Sequence, residues 1–208
     1  YKSAIANLNL GGGKAVISLP KGGFDREEIF SAFGKAVDSL NGKYYTTEDS
    51  GSTPKDMETI REQTKFVCGF SPDLGGSGDP SPLTARGVLR SIEATVHTVL
   101  RKSDLKGLKV AIQGVGNVGF HLAKMLKDEG ADLIVADISE HRVTKAVEEL
   151  GAKVVSLDEI LFQQCDILAP CALGGAITSE VAKKVKCKAV VGAANNQLAD
   201  YSAGKELW

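Results

Sequence analysis

The stretch that decides the fold is Lys109-Val-Ala-Ile-Gln-Gly-Val-Gly-Asn-Val-Gly119. It begins as an apolar strand and passes into Gly114-x-Gly116-x-x-Gly119, with a helical pattern behind it. In such a strand–turn–helix, the first glycine makes the tight turn, the second lets the backbone approach a pyrophosphate, and the third lets helix and strand pack closely. The helix N-terminus offers free N–H groups to the phosphates. We therefore predict a dinucleotide phosphate site formed by Gly114, Val115, Gly116, Asn117, Val118 and Gly119.

A second apolar run, residues 131–137, ends on Asp137. In a dinucleotide-binding unit, an acid at this place accepts hydrogen bonds from the ribose hydroxyls. The same carboxylate repels a 2′-phosphate, which favours NAD over NADP, although Arg142 lies close enough in sequence to blunt that repulsion. The alternative is a glycine-rich turn kept only for packing. Because strand, turn, helix and terminal acid all stand in order, we predict NAD as the cofactor.

From Lys109 onward, strand patterns alternate strictly with helical patterns. This alternation is typical of a parallel, doubly wound sheet. We therefore predict an α/β fold with a Rossmann-like NAD-binding domain over residues 81–208, which includes a linker helix from Thr84 to about Arg101. The predicted strands cover residues 109–114, 132–137, 153–156, 166–169 and 188–192.

Residues 1–80 form a separate region, which we predict to be part of an α/β substrate and catalytic domain. The patterns predict a strand over 15–19, a helix over 25–40, a β-rich segment over 43–47, and a helix over 53–64. Residues 71–83 are rich in glycine and proline and are predicted to be loop. Because the chain opens on Tyr1 inside a helical pattern and stops at Trp208 soon after an apparent strand, we expect a fragment in which both domains are incomplete.

Composition and charge point to an ordinary globular protein. The chain has 208 residues, of which 43% are hydrophobic, and its net charge of −1 gives no electrostatic argument for nucleic acid or an acidic membrane. No apolar run approaches the roughly 20 residues that span a bilayer. We predict no metal site, since neither cysteines nor histidines have ligand spacing, and we expect reduced thiols in a cytoplasmic protein. The residues concerned are Cys68, Cys165, Cys171, Cys187, His97, His121 and His141.

Two segments of the first region can carry chemistry. Lys14 follows three glycines, which let a substrate approach the backbone and can leave the ammonium in a narrow, poorly hydrated place suited to proton transfer. The alternative is a turn with a solvated lysine. Glu48 and Asp49 follow the β-rich segment, where acids commonly cap a turn. If Asp49 faces Lys14, the two can divide acid and base work, and spacing alone leaves both questions open.

Ordered motifs along nearly the whole chain resemble the Glu/Leu/Phe/Val amino acid dehydrogenases, and within them the leucine dehydrogenases with their branched-chain and aromatic relatives. The motifs share their order and spacing with that family. They are Tyr1-Lys2, Leu8-Asn-Leu-Gly-Gly-Gly-Lys14-Ala-Val-Ile17, Leu40-Asn-Gly42, Thr47-Glu-Asp49, Ser81-Pro-x-Thr84-x-x-Gly87, Gln113-Gly-Val-Gly-Asn-Val118, Cys165-Asp-Ile-x-Ala-Pro-Cys-Ala-Leu-Gly174 and Gly192-Ala-Ala-Asn-Asn-Gln-Leu198.

The resemblance implies NAD-dependent oxidative deamination of an L-amino acid, with roles for particular residues. Lys14 and Asp49 are the implied catalytic groups, and Lys2 is the implied partner of the substrate carboxylate. Thr84 is implied on the nicotinamide side of the cofactor. Two turns are implied to line the cofactor as well, and their residues are Cys171, Ala172, Ala194 and Asn195.

The resemblance narrows the substrate without fixing it. Lys14 is followed by Ala15-Val16, as in the aliphatic and aromatic branches, which lowers glutamate as a candidate. Thr47 stands where leucine-specific members tend to have alanine, so it can narrow the pocket. A branched-chain substrate, leucine first, is the expectation, with phenylalanine, valine or tryptophan as alternatives. A homo-oligomer is expected. A non-catalytic nucleotide-binding fragment and a different two-domain Rossmann dehydrogenase are the other hypotheses.

Overall fold

The computed structural model describes residues 2–208 and divides them between Pro80 and Ser81 into two compact units. Tyr1, which belongs to the first motif of the resemblance, lies outside the described residues. No helix among residues 2–208 has the length and apolar character needed to cross a bilayer.

The N-terminal unit is built on three helices, which are α1 (Lys2–Ile5), α2 (Arg26–Ser39) and α3 (Pro54–Arg61). The Asp25 carboxylate caps α2 by accepting bonds from the next free backbone N–H groups. Thr53 and Asp56 form a reciprocal capping box at the start of α3, with Pro54 in the first turn. Both helices therefore begin where the sequence predicts. They pack over a small core of Phe30, Met57, Ile60 and Val67.

Two β-strand predictions in this unit differ from the structure: one strand is absent, and the other is reduced to a single bridge. The strand expected over residues 15–19 is wrong, because that segment has no regular secondary structure and pairs with no strand within residues 2–208. Val16 is 84% exposed. The β-rich segment 43–47 contributes one parallel bridge, between Thr46 and Val67, with Thr46 N–H donating to the Phe66 carbonyl at 3.0 Å. That bridge still fixes the direction of the chain as it enters residues 47–49.

The C-terminal unit contains a five-stranded parallel sheet. Its order is β3-β2-β1-β4-β5, so the chain winds outward from β1 in one direction and then from β4 in the other. This confirms the doubly wound prediction and places the crevice for ligands at the carboxyl ends of β1 and β4. The strands are β1 (Lys109–Gln113), β2 (Asp132–Ala136), β3 (Lys153–Val154), β4 (Ile167–Pro170) and β5 (Ala189–Val190).

Helices cover both faces of that sheet. Val110 and Ile112 of β1 lie in one buried cluster with residues of α4 and α5, whereas Ala111 lies in a second cluster on the opposite face. Between β3 and β4 the connection is a short 3₁₀ turn, Ile160–Phe162, in place of an α-helix. The helices are α4 (Ser81–Thr98), α5 (Asn117–Asp128), α6 (Glu140–Leu150), α7 (Ser179–Ala182) and α8 (Tyr201–Leu207).

Candidate cofactor and catalytic sites

The glycine turn after β1 is too crowded for side chains at two of its three glycines. Gly114 has a φ of 90°, and a Cβ there would lie 2.9 Å from the Cβ of Ala172. A Cβ on Gly119 would collide with the Gly114 carbonyl and lie 3.3 Å from the Cβ of Cys171. At Gly116, by contrast, the nearest atom would be Arg142 Nη1, at 3.5 Å. Two glycines thus permit close packing, and the middle one leaves its backbone open on the side where a pyrophosphate would approach.

Helix α5 begins directly behind this turn. Gly116 is its N-cap residue, and no side chain caps the helix. Asn117 is exposed, whereas Val115 and Gly119 are buried. A twelve-residue helix whose uncapped N-terminus adjoins an open glycine backbone has the donors and the dipole that bind phosphate. The residues predicted from the sequence therefore have the form that a dinucleotide pyrophosphate requires.

Asp137 follows β2 and links that strand to the glycine turn. Its Oδ2 accepts the Val115 N–H at 2.8 Å, and its Oδ1 accepts the Ser139 N–H at 2.9 Å. The side chain is only 5% exposed. Arg142 Nη1 lies 3.8 Å from Oδ1, so the cation noted in the sequence does stand beside the acid. Asp137 is thus an ordered acceptor at the place where a cofactor ribose is expected.

The other predicted cofactor residues follow β4 and β5, at the same edge of the sheet. Cys171 N–H donates to the Gln113 carbonyl at 2.8 Å, which ties the turn after β4 to the end of β1. Ala194 N–H donates to the Pro170 carbonyl at 3.0 Å, and Ala172 lies against Gly114. Burial raises the pKa of the Cys171 thiol to about 11, so this group is neutral and acts as an apolar wall. Asn195 is exposed beside Ala194.

Thr84 lies in the first turns of α4 and is exposed. The helix begins at Ser81, three residues earlier than predicted, so Thr84 is a helical residue rather than the residue at its start. Its role toward the nicotinamide stays a prediction.

The two candidate catalytic groups of the N-terminal unit form an ion pair. Lys14 Nζ contacts Asp49 Oδ2, although the sequence separates them by a helix and a bridge. Asp49 Oδ1 accepts the Ser50 N–H at 2.7 Å, so one carboxylate oxygen is held by backbone and the other faces the lysine. The geometry therefore favours the paired reading of these residues over two independent turns.

The surroundings of Lys14 differ from the expectation in one respect. Its side chain is 65% exposed, so within residues 2–208 the three glycines do not bury it in a poorly hydrated place. A Cβ on Gly13 would lie 2.8 Å from the Tyr44 ring, whereas Gly11 and Gly12 have no atoms near that position. The glycines thus serve close packing at one residue and leave open backbone at two.

The two predicted substrate residues are both accessible. Lys2 lies at the start of α1 and is exposed. Thr47 precedes the acid pair, and a Cβ on Gly69 would lie 3.0 Å from its Oγ1. Gly69 has a φ of 85°, so its turn packs closely against Thr47. Their contacts with a substrate stay predictions.

Glu48, the residue before Asp49, has different surroundings. Its Oε2 is buried and accepts no hydrogen bond within residues 2–208. Burial, and after it the negative charges of Asp79 and Asp56, raises the pKa of this carboxyl. Only the fold distinguishes Glu48 from Asp49, since both are simply acids in the sequence. The described residues hold no cluster of His, Cys, Asp and Glu suited to a metal ion.

Comparisons with known proteins give a family match in each of the two units. Residues 1–66 match the Glu/Leu/Phe/Val dehydrogenase dimerisation domain, and residues 86–190 match the NAD-binding domain of the D-isomer specific 2-hydroxyacid dehydrogenases. The chain is 47% identical over 207 residues to a leucine dehydrogenase of Bacillus subtilis (strain 168), and it covers 57% of that protein. It is 44% identical to a phenylalanine dehydrogenase of Lysinibacillus sphaericus, of which it covers 54%.

A solved structure extends the likeness to the fold. The crystal structure of L-tryptophan dehydrogenase from Nostoc punctiforme superposes with a TM-score of 0.74 at 37% identity, covering 99% of this chain and 58% of that one. The chain thus spans a little over half the length of the relatives it matches.

The two family matches describe different parts of the molecule. The 2-hydroxyacid dehydrogenase match is confined to the Rossmann unit and identifies it as an NAD-binding domain. The N-terminal match and the 47% identity, in contrast, run through Lys14, Asp49 and the glycine turn together. Since a Rossmann unit is shared by many dehydrogenases, the N-terminal unit decides between them. Over nearly its whole length the chain is similar to leucine and phenylalanine dehydrogenases, and its residues 1–66 match the dimerisation domain of the Glu/Leu/Phe/Val dehydrogenase family.

Proposed function

We propose that the whole protein catalyses NAD-dependent oxidative deamination of an L-amino acid, with leucine or another branched-chain amino acid as substrate. The amino acid, NAD⁺ and water give the 2-oxo acid, ammonium, NADH and a proton. The observation that carries this proposal is the Lys14–Asp49 ion pair in a chain that also has an open, uncapped glycine turn. The names of the leucine, phenylalanine and tryptophan dehydrogenases among its relatives support the same reaction.

The cofactor would be held by the turn after β1 and by the strand ends beside it. The open backbone at Gly116 and the N-terminus of α5 suit the pyrophosphate, and Asp137 suits the ribose. NAD⁺ supplies the hydride acceptor. The acid at Asp137 favours NAD over NADP. The further residues assigned to this site are Thr84, Val115, Asn117, Val118, Cys171, Ala172, Ala194 and Asn195.

Lys14 and Asp49 have complementary roles in this proposal. The Lys14 ammonium stabilises negative charge as it develops on the oxygen that water adds to the substrate carbon. The Asp49 carboxylate, already oriented by the Ser50 N–H, takes protons from the amino group and returns them to the leaving ammonia. Because the two groups are in contact, a proton can pass between Asp49 and Lys14 without either side chain changing place. Lys2 pairs with the substrate carboxylate and fixes the orientation of the α-carbon.

Thr47 is proposed to limit the substrate side chain. It precedes Asp49 by two residues and is exposed. Its branched, polar side chain narrows the space for a large apolar group. Leucine is the first candidate substrate because the chain is more identical to the leucine dehydrogenase than to the phenylalanine dehydrogenase. Phenylalanine, valine and tryptophan are the alternatives.

The decisive experiment measures formation of NADH by absorbance in the whole protein, with a panel of L-amino acids and both NAD⁺ and NADP⁺. Lys14→Ala should abolish nearly all turnover and leave NADH affinity unchanged. Lys21→Ala, which removes an exposed lysine of the same unit, is the matched control and should behave as wild type. Turnover retained by Lys14→Ala would overturn the assigned role. NADH binding with no turnover on any amino acid would instead support the non-catalytic alternative.

The protein is also proposed to act as a homo-oligomer in the cytoplasm. The match of residues 1–66 to a domain described as a dimerisation domain supports association of like chains. Light scattering on the whole protein tests this, and a monomeric mass at micromolar concentration would contradict it.

A further inference from the structure

Arg26, near the candidate catalytic pair in the N-terminal unit, joins two segments through one guanidinium group. Its Nε donates to Asp56 Oδ1 at 2.7 Å, and its Nη2 donates to Asp56 Oδ2 at 2.8 Å. The same Nη2 donates to the Gly51 carbonyl at 2.7 Å. Arg26 is the first residue of α2, Asp56 lies in the first turn of α3, and Gly51 lies in the turn that follows Asp49. One planar side chain therefore holds three parts of the unit in register.

Asp56 is the buried centre of this arrangement. Its side chain is 7% exposed, against 42% for Arg26. Besides the arginine, Oδ2 accepts the Thr53 N–H at 2.6 Å and the Thr53 hydroxyl at 2.7 Å. Burial alone would raise the pKa of Asp56, but the hydrogen bonds and the charge of Arg26 lower it below its ordinary value. The carboxylate is thus ionised and accepts four hydrogen bonds, from Arg26 and Thr53.

The chain between Asp49 and Thr53 is a closed turn. Ser52 N–H donates to the Asp49 carbonyl at 3.0 Å, and the Ser52 hydroxyl accepts the Asp49 N–H at 3.0 Å. Gly51 has a φ of 87°, which suits the left-handed bend of this turn. Arg26 holds the turn at Gly51, and Asp56 holds it at Thr53. Bonds made by Arg26 and Asp56 therefore hold, at two points, the turn that begins at Asp49.

We propose that Arg26 is a positioning residue, which with Asp56 fixes the 49–53 turn so that the Asp49 carboxylate stays against Lys14. This inference rests on the proposed deamination. Arginine suits the role because its fork makes two bonds to one carboxylate and still has a donor for a carbonyl, whereas the ammonium of lysine is a single point on a flexible stem. Within residues 2–208, the hydrogen bonds of the Arg26 side chain go to Asp56 and Gly51, so its effect on Asp49 would pass through the turn.

The test compares Arg26→Gln and Arg26→Lys with wild type and with Arg90→Gln, which removes an exposed arginine that pairs with Glu93 on α4. Both Arg26 variants should lower kcat about 10-fold to 100-fold through displacement of Asp49, with the KM for the amino acid and the NADH affinity within about twofold of wild type. Arg90→Gln should leave kcat unchanged.

Arg26→Lys separates positioning from stability, because it keeps the charge beside Asp56 and loses the bridge to Gly51. Its melting temperature should lie within about 4 °C of wild type while its kcat stays low. Full recovery of kcat in Arg26→Lys would show that only the charge matters and would overturn the inference, as would a wild-type kcat in Arg26→Gln. Absence of turnover in wild type would refute the proposed function itself, so the two failures are distinguishable.

Discussion

The packing of the glycine turn makes a quantitative prediction for Gly119→Ala. The new methyl group would collide with the Gly114 carbonyl and lie 3.3 Å from the Cβ of Cys171. Neither neighbour can move freely. Gly114 N–H donates to the Ala136 carbonyl at 2.8 Å, and the next N–H, of Val115, donates to Asp137 at 2.8 Å. Relief therefore requires α5 to move away from β1 by about 1 Å, since nonbonded carbon contacts are optimal near 3.5 Å.

That displacement affects stability and cofactor binding together. Overpacking of this kind costs about 1–3 kcal/mol, which lowers the melting temperature by about 2–12 °C in a domain of this size. The moved helix N-terminus no longer points its N–H groups at the pyrophosphate, so the Kd for NADH should rise at least about tenfold, equivalent to about 1.4 kcal/mol. Thermal unfolding and calorimetric titration with NADH measure the two effects.

Gly87→Ala is the control for the loss of a glycine from a helix. Gly87 lies in α4, and a Cβ there would have no atom within 4 Å. This change should stabilise the protein by about 0.5–1 kcal/mol, since alanine favours helix over glycine. If Gly119→Ala behaved like Gly87→Ala, with a raised melting temperature and an unchanged Kd for NADH, the crowding argument would be refuted.

Three further predictions concern single groups. Burial raises the pKa of Glu48. The protonated Glu48 side chain therefore stabilises the fold below the pKa of the unfolded chain, and this stabilisation is lost as the pH rises through the folded pKa. Glu48→Gln should unfold at a higher urea concentration than wild type at about pH 7, and the difference should vanish near pH 4. Burial raises the pKa of Cys165 to about 12 and that of Cys171 to about 11, so a disulfide reagent at about pH 8 should modify exposed Cys68 in the native protein and these two only on unfolding. Fast labelling of Cys165 in folded protein would contradict this. Ile112→Ala, at a fully buried position of β1, should cost about 2–5 kcal/mol in urea unfolding, and a loss below about 1 kcal/mol would show that the site collapses around the cavity.

The sequence predicts the Rossmann unit well because its signals are local. The apolar strand at 109–113, the glycine turn behind it and the alternation that follows all act within short stretches of chain, and the observed strands lie within or next to the predicted ones. The N-caps at Asp25 and Thr53 are local too, since each acid or hydroxyl bonds to N–H groups two or three residues on. These positions could be assigned from residue type alone.

One of the three differences between prediction and structure depends on something beyond the local pattern. Residues 15–19 have strand composition, but a strand also needs a neighbour to pair with. Helix α4 begins at Ser81, before the predicted start at Thr84, because proline in a first helical turn loses no hydrogen bond and Pro82 can belong to the helix. Helix α8 was not expected, yet Asp200 accepts the Ala203 N–H and caps it. The starts of α4 and α8 thus follow from local signals in the sequence, as do the starts of α2 and α3.

The contact between Arg26 and Asp56 could not be predicted from local sequence signals. Its members are 30 residues apart, and each has a sufficient local explanation, Arg26 as a first-turn residue and Asp56 as part of a capping box. Only their contact, together with the bond to Gly51, reveals a connection to Asp49. The candidate catalytic residues are thus visible in sequence motifs, whereas the residues that hold them in place are visible only in the fold.

In the proposed cofactor site, Asp137 would combine a structural role with a ligand role. Each carboxylate oxygen can accept two hydrogen bonds. Val115 and Ser139 occupy one place on each oxygen, so one place on each is left for a ribose hydroxyl. The bonds that orient the carboxylate therefore do not compete with the cofactor. Arg142 lies 3.8 Å from Asp137 and is half exposed, whereas Asp137 is only 5% exposed. In the proposed site, the buried and hydrogen-bonded acid would therefore keep its repulsion of a 2′-phosphate even with Arg142 beside it.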